Sequence, residues 1–216
     1  MKRFNGLSIP TVLEELCDPR KTALLIYDMQ VGICNQIPEG ARVLKRCQAA
    51  LAAARNAGMR VAFSRHLSCP RKWLGITQLR TAMAWQRTAD PYAVTPWFPR
   101  GSSAFEIVSE LAPSEDDLVF DKLAMSAFEG TPLAYVLKDC DILGVAILGI
   151  ALEIGIEPTV RHATDLGFVP IILADACGSG HAEAGERSLE TMRFVGETLI
   201  SEVDDFSRLL AKRQTG

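Results

Sequence analysis

The 216-residue sequence lacks the features that would assign it to several special classes of protein. Its formal net charge is only −3, and no dense cluster of Lys and Arg indicates nucleic-acid binding. Its longest apolar stretches, around 143–156 and 168–174, are too short or too broken to span a membrane. No apolar run of the signal-peptide kind occurs near the start. The sequence therefore predicts a cytoplasmic protein without a membrane or nucleic-acid partner.

Cofactor and metal motifs are also missing. There is no G-x-G-x-x-G after the first strand and no G-x-x-x-x-G-K-[ST], so dinucleotides and nucleoside triphosphates have no recognisable site. No G-x-S-x-G elbow is present, which excludes the usual serine hydrolase arrangement. The six cysteines form no Cys-x-x-Cys pair and are expected to stay reduced. His66 and Cys69 have the spacing of two zinc ligands but lack further ones, so we expect no metal and no cofactor.

What the sequence does contain is a regular alternation of strand-like and helix-like segments. Apolar runs predict strands at 22–29, 59–65, 116–122, 142–152, 168–176 and 197–203. Helical spacing predicts helices at 41–57, 131–138, 156–167, 181–196 and 204–213. Such alternation is typical of an α/β protein with three layers. We therefore expect a Rossmann-like parallel sheet of about six strands with helices on both faces, in a single domain spanning 1–216.

The segment 66–103 interrupts this alternation. It contains all three tryptophans of the chain, together with several prolines. A connection of this length in a compact domain is usually functional. Three interpretations remain open for its aromatic residues: a lid over a site, a subunit contact, or a small satellite core.

Polar residues at the ends of predicted strands indicate where a site would lie, because parallel sheets bind ligands at the carboxyl ends of their strands. Asp28 ends an otherwise apolar strand, and Lys122 ends another. A carboxylate beside an ammonium group can stay ionised or exchange a proton with a substrate. In a third segment, 149–163, a strand enters a helix through a tight turn, whose free N–H groups could bind an anion.

Four segments together resemble the isochorismatase-like hydrolases, also called cysteine hydrolases, over about residues 20–205. They are ALLIYDMQ (23–30), FDKLAMSAFEGTPL (120–133), GIALEIGIEPTVRHATDLGF (149–168) and DACGS (175–179). The resemblance implies a hydrolase acting on a small molecule, with the family's Asp–Lys–Cys triad falling on Asp28, Lys122 and Gly155. It also implies a cis peptide bond at Ile150–Ala151 and a homo-oligomer, either a dimer or a tetramer.

Glycine at position 155 departs from the amidase members, in which a cysteine thiolate attacks the substrate. It is similar to the true isochorismatases, which cleave a vinyl ether without a covalent intermediate. The resemblance therefore implies acid–base chemistry by Asp28 and Lys122 with direct attack by water. The residues expected to bind substrate are Gln30, Arg65, His66, Ser126, Phe128, Ala151, Leu152 and Glu153.

Two alternatives stay open at this point. The chain could be a non-catalytic relative that only binds a small molecule, or an amide hydrolase that uses Cys34 or Cys177 as its nucleophile. Glu153 also permits two interpretations. It would oppose an anionic substrate and suit a neutral or cationic one, or it would simply cap a helix N-terminus.

Overall fold

A parallel sheet of six strands forms the centre of the computed structural model, which describes residues 1–214. Its strands are β3 (Thr22–Tyr27), β4 (Arg60–His66), β5 (Leu118–Lys122), β6 (Gly144–Ile150), β7 (Val169–Gly178) and β8 (Leu199–Ser201). They are arranged in the order β5-β4-β3-β6-β7-β8. A small antiparallel hairpin of β1 (Lys2–Phe4) and β2 (Leu7–Ile9) precedes the sheet.

Helices cover both faces of the sheet. The α-helices are α1 (Leu13–Leu16), α2 (Val31–Cys34), α3 (Gly40–Asn56), α4 (Ile76–Trp85), α5 (Leu133–Asp139), α6 (Glu157–Asp165), α7 (Ala182–Val195) and α8 (Val203–Gln214). Buried side chains of α3 and α8 form one core with the sheet, and those of α5, α6 and α7 form the core on the opposite face. Among residues 1–214, no helix is both long and apolar enough to cross a membrane.

Strand β3 illustrates how the sequence builds these layers, because all six of its residues are buried. Successive side chains of a strand point to opposite faces of the sheet. Leu24 and Ile26 accordingly pack in the α3/α8 core, whereas Leu25 and Tyr27 pack in the α5/α6 core. A strand that is buried on both faces needs a continuous apolar run, which is the pattern that predicted it.

The predicted fold class is confirmed, and most elements begin and end close to the expected residues. The apolar run 142–152 contains β6 at Gly144–Ile150, and the chain then enters a π-helical segment, Leu152–Ile156. The segment 66–103 contains α4 and two 3-10 turns, Arg71–Trp73 and Pro91–Ala93. The hairpin at residues 2–9 was not predicted.

The strand order determines where a ligand can enter. From β3 the chain proceeds outward to β4 and β5, and then returns to place β6, β7 and β8 on the other side of β3. The order reverses between β3 and β6, and crevices form at such a reversal, outside the carboxyl ends of the strands. Asp28 follows β3, Lys122 ends β5, and the Ile150–Ala151 peptide follows β6, so all three lie at this edge.

Candidate active site

Asp28 and Lys122 form a buried ion pair at the carboxyl edge of the sheet. Lys122 Nζ lies 2.7 Å from Asp28 Oδ2, and the two residues are only 2% and 3% exposed. The ammonium group also donates to the carbonyl oxygen of Ala124 at 3.1 Å and lies 4.4 Å from the centre of the Tyr27 ring. The buried charges therefore compensate each other, as they must in an environment poor in water.

A third residue, Ser64 of strand β4, fixes the orientation of the carboxylate. Its hydroxyl donates to Asp28 Oδ1 at 2.6 Å and accepts from the Asp28 N–H at 3.2 Å. Asp28 itself has a φ of 46°, in the left-handed region that residues other than glycine rarely adopt. Both carboxylate oxygens thus have a fixed donor, which holds the acid in one position at the sheet edge. Ser64 was not among the residues expected to form the site, although a hydroxyl group in the apolar run of β4 could have indicated a polar contact there.

The chain makes a tight turn between β6 and α6. The Ile150–Ala151 peptide bond is cis, as the resemblance implied. Within the turn, the N–H groups of Gly155 and Ile156 both donate to the Ala151 carbonyl oxygen, at 3.0 and 3.1 Å. The N–H of Gly155 therefore already has a partner in the fold and is not free to bind an anion.

Tyr27 packs directly against Gly155. A Cβ atom placed on Gly155 would lie 2.7 Å from Tyr27 Cε1, and closer still to the ring's Cζ and hydroxyl oxygen. The phenol donates its hydrogen bond to the carbonyl oxygen of Met125. Burial, together with the neighbouring Asp28 carboxylate, raises the pKa of Tyr27 well above its usual value, so the phenol is neutral. Tyr27 was not among the residues expected to form the site.

A cavity of about 470 Å³ opens above the ion pair. We define its floor as the residues at the strand ends: Tyr27, Asp28, Lys122, Ile150 and Ala151. We define its wall as the residues from the segment after β4: Ala84, Trp85, Arg87, Trp97 and Phe98. The remaining lining residues are Ile33, Gln36, Ile37, His66, Met125, Glu153, Ile154, Gly180 and His181. The size is suitable for a small organic molecule.

The wall consists largely of aromatic rings. Trp85 and Trp97 stack with their ring centres 6.1 Å apart and their planes inclined by 11°, and Phe98 meets Trp97 edge-on. A neighbouring cavity of about 340 Å³ shares Trp85, Trp97 and Phe98, so these rings separate two spaces. Three aromatic residues of the segment 66–103, Trp85, Trp97 and Phe98, thus face the candidate site, whereas Trp73 and Tyr92 line neither cavity.

Glu153 places a second carboxylate beside the cavity. Its Oε1 accepts from the N–H of His181, the residue that precedes α7, at 2.8 Å. Its Oε2 is inaccessible to solvent and has no hydrogen-bond partner within residues 1–214. Glu153 therefore binds the backbone before α7, not the N-terminus of α6. His181 itself is exposed and lines the cavity.

His66 lies between the ion pair and the wall. Burial, followed by repulsion from the Lys122 ammonium group, lowers the pKa of His66 to about 4. Its ring meets Phe98 edge-on with the ring centres 6.0 Å apart. The imidazole is therefore neutral near pH 7 and can exchange hydrogen bonds without adding charge to the cavity.

Of the eight residues expected to bind substrate, His66, Ala151 and Glu153 line the cavity, and five do not. Gln30 is buried and links the His66 and Phe105 backbones. Arg65 is paired with Asp121 at 2.7 Å. The remaining three pack on the α5/α6 side: Ser126 bonds to His162 Nδ1 at 3.0 Å, Phe128 stacks on Phe168, and Leu152 is in the core.

The two cysteines considered as alternative nucleophiles lie elsewhere. Neither Cys34 nor Cys177 is among the residues that line the cavity. Burial raises the pKa of Cys34 to about 11 and that of Cys177 to about 12, so both thiols remain protonated at neutral pH. Because the thiolate is the reactive form of cysteine, neither residue is placed or charged to act as a nucleophile. Among residues 1–214, no group of three or more His, Cys, Asp or Glu side chains is placed to hold a metal ion.

Comparison with known proteins agrees with this fold. The family model of the isochorismatase domain matches residues 22–203. The chain therefore belongs to the family of isochorismatase-like hydrolases.

The curated relatives that it matches align over most of their own length and most of this chain. The ureidoacrylate amidohydrolase RutB of Serratia proteamaculans (strain 568) is 27% identical over 212 residues, covering 89% of this chain and 84% of the relative. RutB of Methylobacterium radiotolerans is 27% identical over 225 residues, covering 94% and 84%.

Solved structures share the fold at lower identity. A cysteine hydrolase from Pseudomonas syringae pv. phaseolicola 1448A superposes with a TM-score of 0.78 at 23% identity, covering 90% of this chain and 94% of that one. The nicotinamidase PncA from Bacillus subtilis gives 0.71 at 19% identity, covering 84% and 99%. At these identities the likeness concerns the fold alone.

Proposed function

We propose that this protein hydrolyses a small molecule by direct attack of water, with Asp28 as the acid–base residue and no covalent intermediate. The observation that carries this proposal is the Asp28–Lys122 pair at the floor of a cavity, in a chain that has a glycine at the position that the resemblance assigns to the nucleophile. A buried ion pair is rarely retained for stability alone, since apolar residues of similar size often stabilise a fold equally well. The pair therefore indicates chemistry.

In the proposed mechanism Asp28 moves one proton. For an amide or ester, it takes a proton from water while the water oxygen bonds to the carbonyl carbon, and it returns that proton to the leaving nitrogen or oxygen as the bond to carbon breaks. For a vinyl ether, the reaction starts from the neutral acid form of Asp28, which gives its proton to the alkene carbon; water adds to the resulting cation and returns a proton to the Asp28 carboxylate, and the adduct separates into a ketone and an alcohol. Lys122 balances the carboxylate charge in both cases.

The cavity favours a neutral substrate that carries N–H donors, since the Glu153 carboxylate and the Arg87 guanidinium group both line it. A carboxylate in this position gains most from an N–H donor of the substrate. Neutral His66 adds no positive charge, and the aromatic wall suits a flat or apolar group. A dianion such as isochorismate would be opposed by Glu153. An amide or ureido group, which carries N–H donors, fits these contacts better.

The test is turnover of three compounds by the wild-type protein and by Asp28→Asn. Isochorismate reports vinyl-ether cleavage through pyruvate release, ureidoacrylate reports cleavage next to a ureido group, and nicotinamide reports carboxamide cleavage. We expect Asp28→Asn to lower kcat by at least about 100-fold, the usual contribution of an acid–base group, while its circular dichroism spectrum is unchanged. Ser64→Ala, which removes only one donor to Asp28, is the matched variant and should lose less activity.

Three outcomes would contradict the proposal. The first is turnover that survives in Asp28→Asn. The second is an adduct of substrate and protein in intact-mass spectra recorded during turnover, which would indicate a covalent route. The third is binding of these compounds, measured by calorimetry, without turnover of any of them, which would favour the non-catalytic relative.

A further inference from the structure

We propose that Tyr27 is a specificity-determining residue, because its phenol ring occupies the space that a nucleophilic side chain at position 155 would need. The two residues thus form a matched pair, a large side chain at the end of β3 and the smallest residue in the π-helical turn. This inference deepens the proposed function, since it gives a physical reason for direct attack by water. Its test does not depend on turnover of any substrate.

A side chain at position 155 would clash with the rigid ring of Tyr27. Both residues are buried, with Tyr27 only 2% exposed. A Cβ on Gly155 would meet Tyr27 Cε1 at 2.7 Å, with Cζ and the hydroxyl oxygen closer still. Distances below 3.0 Å to a ring cannot be relieved by small adjustments, because the interior is close-packed. No side chain of any kind therefore fits at position 155 while Tyr27 keeps its present position.

Tyr27 has little freedom to move away. Strand β3 is paired on both sides, with β4 and with β6, so its backbone is fixed. The ring packs in the core formed with α5 and α6, and its hydroxyl donates to the Met125 carbonyl oxygen. Rotation of the ring would leave this acceptor and the Lys122 ammonium group without their present contacts. The clash must consequently be relieved at position 27 itself.

The pair also has a chemical consequence for the floor of the cavity. A thiol at position 155 would enter the space of the Tyr27 ring, whose centre lies 4.4 Å from the Lys122 ammonium nitrogen, and a positive charge that close would favour the thiolate. Tyr27 instead presents a neutral phenol there. The identity of residue 27 therefore decides whether this site can hold a nucleophile, and it does so without changing Asp28 or Lys122.

The experiment compares the single variants Gly155→Cys, Tyr27→Val and Tyr27→Phe with the double variants Tyr27→Val/Gly155→Cys and Tyr27→Phe/Gly155→Cys. Thermal unfolding and the rate of alkylation of the new thiol by iodoacetamide, followed by peptide mass spectrometry, are measured for each. We expect Gly155→Cys alone to lower Tm by about 5–10 °C, the effect of overpacking a core in a domain of this size. Tyr27→Val should restore most of this loss and expose a thiol that reacts at least about tenfold faster than buried Cys47.

Tyr27→Phe is the decisive control, because phenylalanine keeps the ring carbons that cause the clash and removes only the hydroxyl group. Its double variant should remain as unstable as Gly155→Cys and should react slowly. Gly75→Cys, at a position where a Cβ would have no heavy atom within 4 Å, controls for the added thiol and should change Tm little.

The proposal is overturned if Gly155→Cys is as stable as the wild type, or if Tyr27→Phe restores stability as well as Tyr27→Val does. It is also overturned if the effects of Tyr27→Val and Gly155→Cys on Tm simply add. Should the thiol variants fail to fold, Gly155→Ala tests the same coupling with a single added carbon atom.

Discussion

The floor and the wall of the cavity are built in different ways. The floor consists of residues at the ends of paired strands, and its charged groups are almost completely buried. The wall comes from a connection between β4 and β5, where none of the ten residues of α4 is buried and Trp85 is 44% exposed. Strand ends fix atoms precisely enough for proton transfer, whereas an exposed connection can vary without disturbing the fold. From this difference we propose that the floor determines the type of reaction and that the wall determines the choice of substrate.

The largest expected effect on stability comes from removing one charge of the ion pair in the floor. Replacing Lys122 with Met leaves the Asp28 carboxylate buried without its cation, and such a change typically costs about 3–5 kcal/mol of unfolding free energy. We expect a loss of this size in urea denaturation, accompanied by loss of activity. The wall contains no comparable group, so no single substitution there should destabilise the protein as much.

The double variant Asp28→Asn/Lys122→Met provides the control for this effect. It removes both charges, and it should therefore recover part of the lost stability although it remains inactive. Arg187→Ala, which breaks an exposed pair with Glu183 at 3.8 Å, should cost at most about 0.5 kcal/mol. Equal losses for Lys122→Met and Arg187→Ala would contradict the view of the floor as a tightly coupled buried pair.

His66 lies between the floor and the wall, and its titration should make the stability of the folded protein depend on pH. Its pKa is about 4 in the folded protein and about 6.5 when unfolded, so the unfolded chain takes up the proton first as the pH falls. The folded state should therefore lose stability between about pH 6.5 and pH 4, by up to about 3 kcal/mol. Urea denaturation at several pH values measures this loss.

His66→Asn should flatten the pH dependence of stability in that window, because asparagine does not titrate there. His181→Asn, at an exposed residue that also lines the cavity, is the matched control and should leave the slope nearly unchanged. The same slope in wild type and His66→Asn would indicate that other groups dominate acid unfolding.

The contrast between floor and wall also explains what the sequence could predict. Buried parallel strands need continuous apolar runs, so their positions, and the location of Asp28 and Lys122 at strand ends, followed from local pattern. Trp85 and Trp97 belong to a segment without such periodicity, so three interpretations of it stayed open. Tyr27 was missed because its contact with Gly155 joins the end of β3 to the π-helical turn, which lies more than a hundred residues later in the sequence. A tyrosine in an aliphatic run was the available signal.

Five of the expected substrate-binding residues lie outside the cavity. For two of them, the direction of the side chain is the reason. Arg65 and Gln30 follow or end strands, as the floor residues do, but alternation points successive side chains in opposite directions. Arg65 therefore meets Asp121, and Gln30 ties together the backbones of neighbouring segments. Asp28 also follows a strand, but it lines the cavity because the turn after β3 directs its side chain towards Lys122.

The smallest predicted effect concerns Trp97 and best distinguishes the role of the wall from that of the floor. Trp97→Ala removes half of the stacked pair from the wall while leaving every contact of Asp28 and Lys122 intact, so it should weaken binding and spare the chemical step. Loss of one stacking contact corresponds to about 1 kcal/mol, or a roughly fivefold rise in KM, with kcat within about twofold of the wild type. The measurement uses whichever of the three test compounds is turned over, and Trp73→Ala, at a residue that is 74% exposed and lines neither cavity, is the control. A large fall in kcat for Trp97→Ala would mean that the wall takes part in positioning the reacting groups, and the division of roles between floor and wall would then be wrong.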